Sequence, residues 1–83
     1  MSEDVMHRVI RVIAETQRLP VERISSDSTF EELQIDSLDG INILFAVENE
    51  FQINVPDEAA KSIRSVREMA EGVEKLLAGA SGA

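Results

Sequence analysis

Eighty-three residues, 43% of them hydrophobic and only 4% aromatic, suffice for one small domain with a modest core. The absence of cysteine excludes disulfides, thiolate metal sites and an intrinsic nucleophilic thiol. The formal net charge of −8 is unevenly spread: residues 1–23 hold four acids and four bases, residues 24–60 nine acids and no Lys or Arg, and residues 61–83 four bases and three acids. That distribution makes nucleic acid and anionic membrane poor partners, and a basic patch on another protein a good one.

Residues 3–18 have a helical period. Val5, Val9, Val12 and Thr16 fall on one stripe, with Met6, Ile10 and Ile13 beside it. Ser2 is placed to cap this helix, Glu3 and Asp4 suit its first turn, and Leu19-Pro20 ends it. The acidic start, Met1-Ser2-Glu3-Asp4, is unlike a basic targeting leader, and no apolar stretch is long enough to span a membrane. A cytoplasmic protein without membrane insertion is expected. Residues 19–36 are a long connection for so small a domain, which suggests a functional loop, pinned to the core by Phe30, Leu33 and Ile35.

A second helix is expected over residues 37–51, with too many apolar residues for one face. Ile43, Ala46, Val47 and Phe51 make a core stripe; Leu38, Ile41 and Phe45 make another, rotated away from it. Ringed by Asp36, Asp39 and Glu48, the second stripe reads as an exposed docking strip. Ile53, Val55 and Pro56 form a short extended link, and a brief helix follows from Asp57 to about Ile63. The last helix opens on Ser65-Val66-Arg67-Glu68, a capping-box pattern, and continues through Met69, Val73, Leu76 and Leu77. Residues 79–83 have nothing to bury and are expected to be disordered, leaving one domain over residues 1–78. With no strand pattern or repeat, the expected fold is all-α: a four-helix bundle, three helices long and one short, with a long loop between the first two.

Asp36-Ser37-Leu38 puts a serine hydroxyl at the start of the second helix, where free N–H groups and the positive end of the dipole favour an attached anion. An enzyme is not expected. His7 is the sole histidine, reads as a helix-surface residue, and lies far in sequence from Ser37. The acidic clusters lack EF-hand spacing, so no metal is expected.

Four segments together resemble the acyl carrier proteins: Asp27-Ser28-Thr29-Phe30-Glu31-Glu32-Leu33, Asp36-Ser37-Leu38-Asp39, Val47-Glu48-Asn49-Glu50-Phe51 and Ile53-Asn54-Val55-Pro56-Asp57. The likeness covers about residues 3 to 78, in register with that family's helix–long loop–helix–short helix–helix layout. It implies a 4′-phosphopantetheine arm from coenzyme A on Ser37, flanked by Asp36 and Leu38, installed by a phosphopantetheinyl transferase and holding acyl groups as thioesters. Asp36, Leu38, Asp39, Ile41, Phe45 and Glu48 match positions that meet partner enzymes: an acyl synthetase, ketosynthase or acyltransferase with a basic docking patch. The resemblance also implies an acyl-chain pocket including Phe30, Ile43, Ala46, Val47, Phe51, Ala60 and Ile63. A monomer serving fatty-acid, lipid or polyketide-type biosynthesis is expected. The competing reading is an acidic adaptor with the same fold that never receives the arm; the intact Asp36-Ser37-Leu38 argues against it.

Several residues depart from the family pattern. Gln34 and Gln52 stand where relatives usually have glycine, Gly40 where they have a larger residue, and Asn42 and Asn49 where acids are common. The Phe30-to-Leu33 spacing is also one residue shorter than in many. These changes leave Ser37 and its flanks intact and trim the acidic strip, which favours a specialised carrier over the central fatty-acid one.

Overall fold

A computed structural model describes residues 3–82, and the side chains of residues 4–78. Helix α1 (Glu3–Gln17), a 3₁₀ turn (Val21–Arg23), α2 (Ser37–Phe51), α3 (Asp57–Ser62) and α4 (Val66–Gly82) follow one another in that order. Only an isolated bridge, Thr29 with Ser65, has strand geometry among the described residues. The fold is the all-α arrangement of three long helices and one short that the sequence predicts.

The stripe on α1 is the reason the bundle closes. Val5, Val9, Ile10, Val12 and Ile13 are all buried, and they pack with Ile43, Val47 and Phe51 of α2 and Val66, Met69, Ala70 and Val73 of α4. No polar or charged residue joins this core, so burial there is apolar throughout. The α1–α2 contact is fastened at one end by Arg8. Its Nε donates to Glu50 Oε2 at 3.0 Å, its Nη2 donates to the Glu50 carbonyl, and its guanidinium lies 4.3 Å from the centre of the Phe51 ring.

Two long helices end in the same way. Arg18 has φ 57° and the Leu19 N–H donates to Ala14 O; Gln52 has φ 57° and the Ile53 N–H donates to Glu48 O. Each is a left-handed residue followed by a bond reaching back five positions, which closes the orphan carbonyls of the last turn. Helix α1 thus stops at Gln17, one residue short of the expected end; Ser2, its expected cap, lies outside the described residues.

The long connection is hydrogen-bonded along its length. Ile24 and Ile35 are buried, with Phe30 and Leu33 packed against the core beside them. Thr29 and Glu32 form a reciprocal box: the Thr29 N–H donates to Glu32 Oε1 at 2.9 Å and the Glu32 N–H to Thr29 Oγ1 at 3.1 Å. The same loop caps α4, since the Val66 N–H donates to Ser28 O and the Arg67 N–H to Ser26 O. Asp27 and Arg67 add a 2.7 Å ion pair across this junction.

Two expectations for α4 change. Ser65 Oγ accepts the Glu68 N–H at 3.2 Å, but the Glu68 carboxylate takes the Arg64 N–H at 2.7 Å in place of the Ser65 N–H. The box is thus wider by one residue, beside the isolated bridge of Thr29 with Ser65. Helix α4 is also assigned through Gly82, four residues into the segment expected to be disordered; Ala83 lies outside the described residues.

Candidate functional site around Ser37

Helix α2 begins at Ser37 because Asp36 caps it. The Asp36 backbone is extended and its Oδ1 accepts the Asp39 N–H at 2.9 Å, while its carbonyl accepts the Gly40 N–H at 2.8 Å. No hydrogen bond engages the Ser37 or Leu38 amide among the described residues. The Ser37 side chain is exposed at this helix end, with the Asp36 carboxylate beside it. An oxygen-linked anion there gains from the helix dipole and from two free N–H donors.

Ser37 stands at the mouth of a cleft of about 460 Å³ between α2, α3 and the loop. Phe30 and Ile35 line it from the loop, Gly40, Ile41 and Leu44 from α2, Ala60, Lys61 and Ile63 from the α3 side, and Met69 from α4. A smaller inner cavity of about 190 Å³ adjoins it, walled by Val47, Val55, Ala59, Gly72, Val73 and Leu76, with the exposed Pro56 and Lys75 at its rim. Leu44, Ile63 and Met69 border both spaces, so three apolar side chains separate an open vestibule from an inner pocket.

The expected pocket residues fall in three places. Phe30, Ala60 and Ile63 line the cleft, and Val47 the inner cavity. Ala46 faces a separate open groove with Phe45, Glu48 and Asn49. Ile43 and Phe51 line neither cavity. Ile43 is rotated by about 120° around α2 from Ser37, and Phe51 lies about 21 Å along the helix, beneath Arg8. The cleft residues absent from every expected site set are Ile35, Gly40, Leu44, Lys61 and Met69. Leu44 and Gly40 were recoverable from spacing, since positions 37, 40, 41 and 44 share one helical face.

The second apolar stripe of α2 is exposed: Leu38 by 73%, Phe45 by 61% and Ile41 by 48%. The loop does not cover it. Asp36 and Asp39 flank its upper end. Glu48, expected to flank its lower end, turns partly inward, where its Oε2 accepts the Val55 N–H at 2.7 Å. His7 is an exposed surface residue of α1, and no cluster of candidate metal ligands occurs among the described residues.

Residues 7–73 match the family described as the phosphopantetheine attachment site. The chain is 38% identical over 74 residues to an acyl carrier protein of Rickettsia bellii, covering 88% of this chain and 86% of that one. The chain belongs to the acyl carrier protein family. It is also 41% identical over 66 residues to a mitochondrial acyl carrier protein of Dictyostelium discoideum, spanning 80% of this chain and 55% of the relative. In three dimensions it is similar to the crystal structure of the acyl carrier protein of Thermotoga maritima, with a TM-score of 0.83 at 27% identity over 94% of this chain and 92% of that one.

The carrier holds acyl groups on phosphopantetheine and is not itself an enzyme; synthases and transferases act on what it carries. The adaptor reading is not favoured. No helix among the described residues is long and apolar enough to cross a membrane.

Proposed function

We propose that Ser37 bears the phosphopantetheine arm, and that the strip Asp36, Leu38, Asp39, Ile41 and Phe45 is the surface partner enzymes engage. The observation that carries the assignment is the position of Ser37: an exposed hydroxyl on the first residue of a capped helix, at the mouth of the apolar cleft. The residues present fit the group. The two free amides favour its phosphate, and the cleft offers an apolar lining for what the arm carries. When attached, the arm supplies the terminal thiol that this cysteine-free chain lacks.

This chain's own residues do the rest. Asp36 holds the start of α2, so the Ser37 oxygen keeps a fixed address. Phe30, Leu44, Ala60, Ile63 and Met69 offer an apolar surface that shields a carried chain from water. Leu38, Ile41 and Phe45 give a partner area to bury, and the neighbouring carboxylates speed encounter with a basic patch without fixing a tight complex. The installing partner is a phosphopantetheinyl transferase; the users are an acyl synthetase, ketosynthase or acyltransferase, met by a monomeric carrier. The trimmed acids at Asn42 and Asn49 favour a dedicated pathway over central fatty-acid synthesis. A cytoplasmic location is the companion proposal, which fractionation tests against the mitochondrial location of the Dictyostelium relative.

Intact mass before and after incubation with coenzyme A and a broad-specificity transferase tests the attachment. A gain of one phosphopantetheine, absent in Ser37→Ala, is the expected result. A gain that persists in Ser37→Ala, or a folded protein that gains nothing, overturns it.

A further inference from the structure

Residues 24–60 contain no Lys or Arg, and the first base after them, Lys61, lines the cleft at Ser37. It stands on α3, across the cleft from α2, and is the sole cationic side chain in the lining. Lys61 is exposed, and no salt bridge engages it among the described residues. A phosphodiester on Ser37 carries negative charge into a place already flanked by the carboxylates of Asp36 and Asp39. The start of α2 offsets only part of that repulsion, because Asp36 already occupies the Asp39 N–H. An only partly compensated anion and an unengaged cation therefore share one cleft.

We infer that Lys61 is a positioning residue whose ammonium pairs with the phosphodiester on Ser37 and inclines the arm across the cleft toward the wall made by Ala60 and Ile63. The inference rests on Ser37 being the attachment residue. The arm's phosphate, and not a charged group on the cargo, is the partner, because it is bonded to the Ser37 oxygen at the cleft mouth whatever the arm carries. A lysine suits the task. Its charge rides on a flexible four-carbon stem that follows a mobile phosphate, and an exposed pair breaks easily when a partner draws the arm out. Lys61 thereby biases the resting arm toward the apolar cleft while leaving it free to leave.

The chain has two lysines, Lys61 and Lys75, so each can be followed against the other. Apo and phosphopantetheinylated protein are treated with a limiting amine-selective imidoester, and modification at each lysine is read by peptide mass. Loading is expected to slow Lys61 about fivefold relative to Lys75, the scale of one close charge pair in water. In about 1 M salt, where the screening length falls to about 3 Å, the protection should vanish. Amide shifts on α3 that appear on loading should be lost in Lys61→Glu and kept in Lys61→Arg, with both variants still gaining the arm by mass. An unchanged lysine ratio on loaded protein overturns this inference alone, as does protection that survives high salt or appears only with a carboxylate-bearing cargo. Absence of the mass gain at Ser37 sinks the attachment proposal, and this one with it.

Discussion

The carboxylate of Glu48 accepts the backbone N–H of Val55 at 2.7 Å, tying the body of α2 to the segment that leads into α3. Val55 and Ile63 wall the inner cavity, so this bond holds one side of that space in place. A charged acceptor on a partly buried amide contributes about 1.5–3 kcal/mol. Glu48→Ala should therefore lose roughly that much in urea unfolding, while Glu48→Gln, which keeps a carbonyl acceptor, should lose less than half of it. Equal losses in the two variants would show that the bond does not anchor the segment.

Gln34 and Gln52 adopt φ 60° and 57°, the left-handed region where an L side chain is strained and glycine is not. The Gln52 side chain regains part of that cost by donating Nε2 to Asn49 O at 2.8 Å. No such bond holds the exposed Gln34 side chain among the described residues. Gln34→Gly should stabilise the carrier by about 0.5–1 kcal/mol after the added chain entropy of glycine is counted, and Gln52→Gly by less. Thermal melts of the two variants, at matched salt, give the ordering.

Both glutamines were visible in the sequence as departures at glycine positions, and the left-handed geometry is their physical content. Helix α2 was legible to the residue, because a dense apolar run opens after the polar loop at Ser37 and gives way to the extended link at Ile53, Val55 and Pro56. The double stripe was legible too, since a 3.6-residue period separates Ile43 and Val47 from Leu38 and Phe45 without any tertiary information. What escaped was long-range. The capping of α4 by Ser26 and Ser28 carbonyls joins backbone atoms about forty residues apart, and backbone acceptors leave no trace in side-chain pattern. Part of the cavity wall escaped for a similar reason: Met69 and Lys61 join the cleft at Ser37 only after α3 and α4 have packed.

Gly40 lines the cleft one helical turn beyond Ser37, and a Cβ built there meets no atom within 4 Å. The fold does not require glycine at this position. Gly40→Ala should raise stability by about 0.5–1 kcal/mol through the lower entropy of the unfolded chain. In a domain of this size each 1 kcal/mol moves the melting temperature by about 4–8 °C, so the change is measurable. If the open space serves close approach of a partner enzyme, the same variant loads more slowly, and a stopped time course with the transferase separates the two effects.

Leu38 and Phe45 sit on the exposed strip, while Ile43, on the same helix, is fully buried. Physical chemistry assigns them opposite consequences. Leu38→Ala and Phe45→Ala remove exposed side chains and should change unfolding free energy by no more than about 0.5 kcal/mol. Ile43→Ala leaves a cavity and should lose about 2–5 kcal/mol, enough to unfold much of the population in a small domain. Against partner enzymes the order reverses. Truncating an apolar anchor at an interface costs more than about 1 kcal/mol in binding, so kcat/KM for the transferase should fall at least fivefold in Leu38→Ala or Phe45→Ala at wild-type stability. A strip whose truncation leaves both loading and acyl transfer untouched is not the docking surface, and the exposed apolar residues would then need another cause.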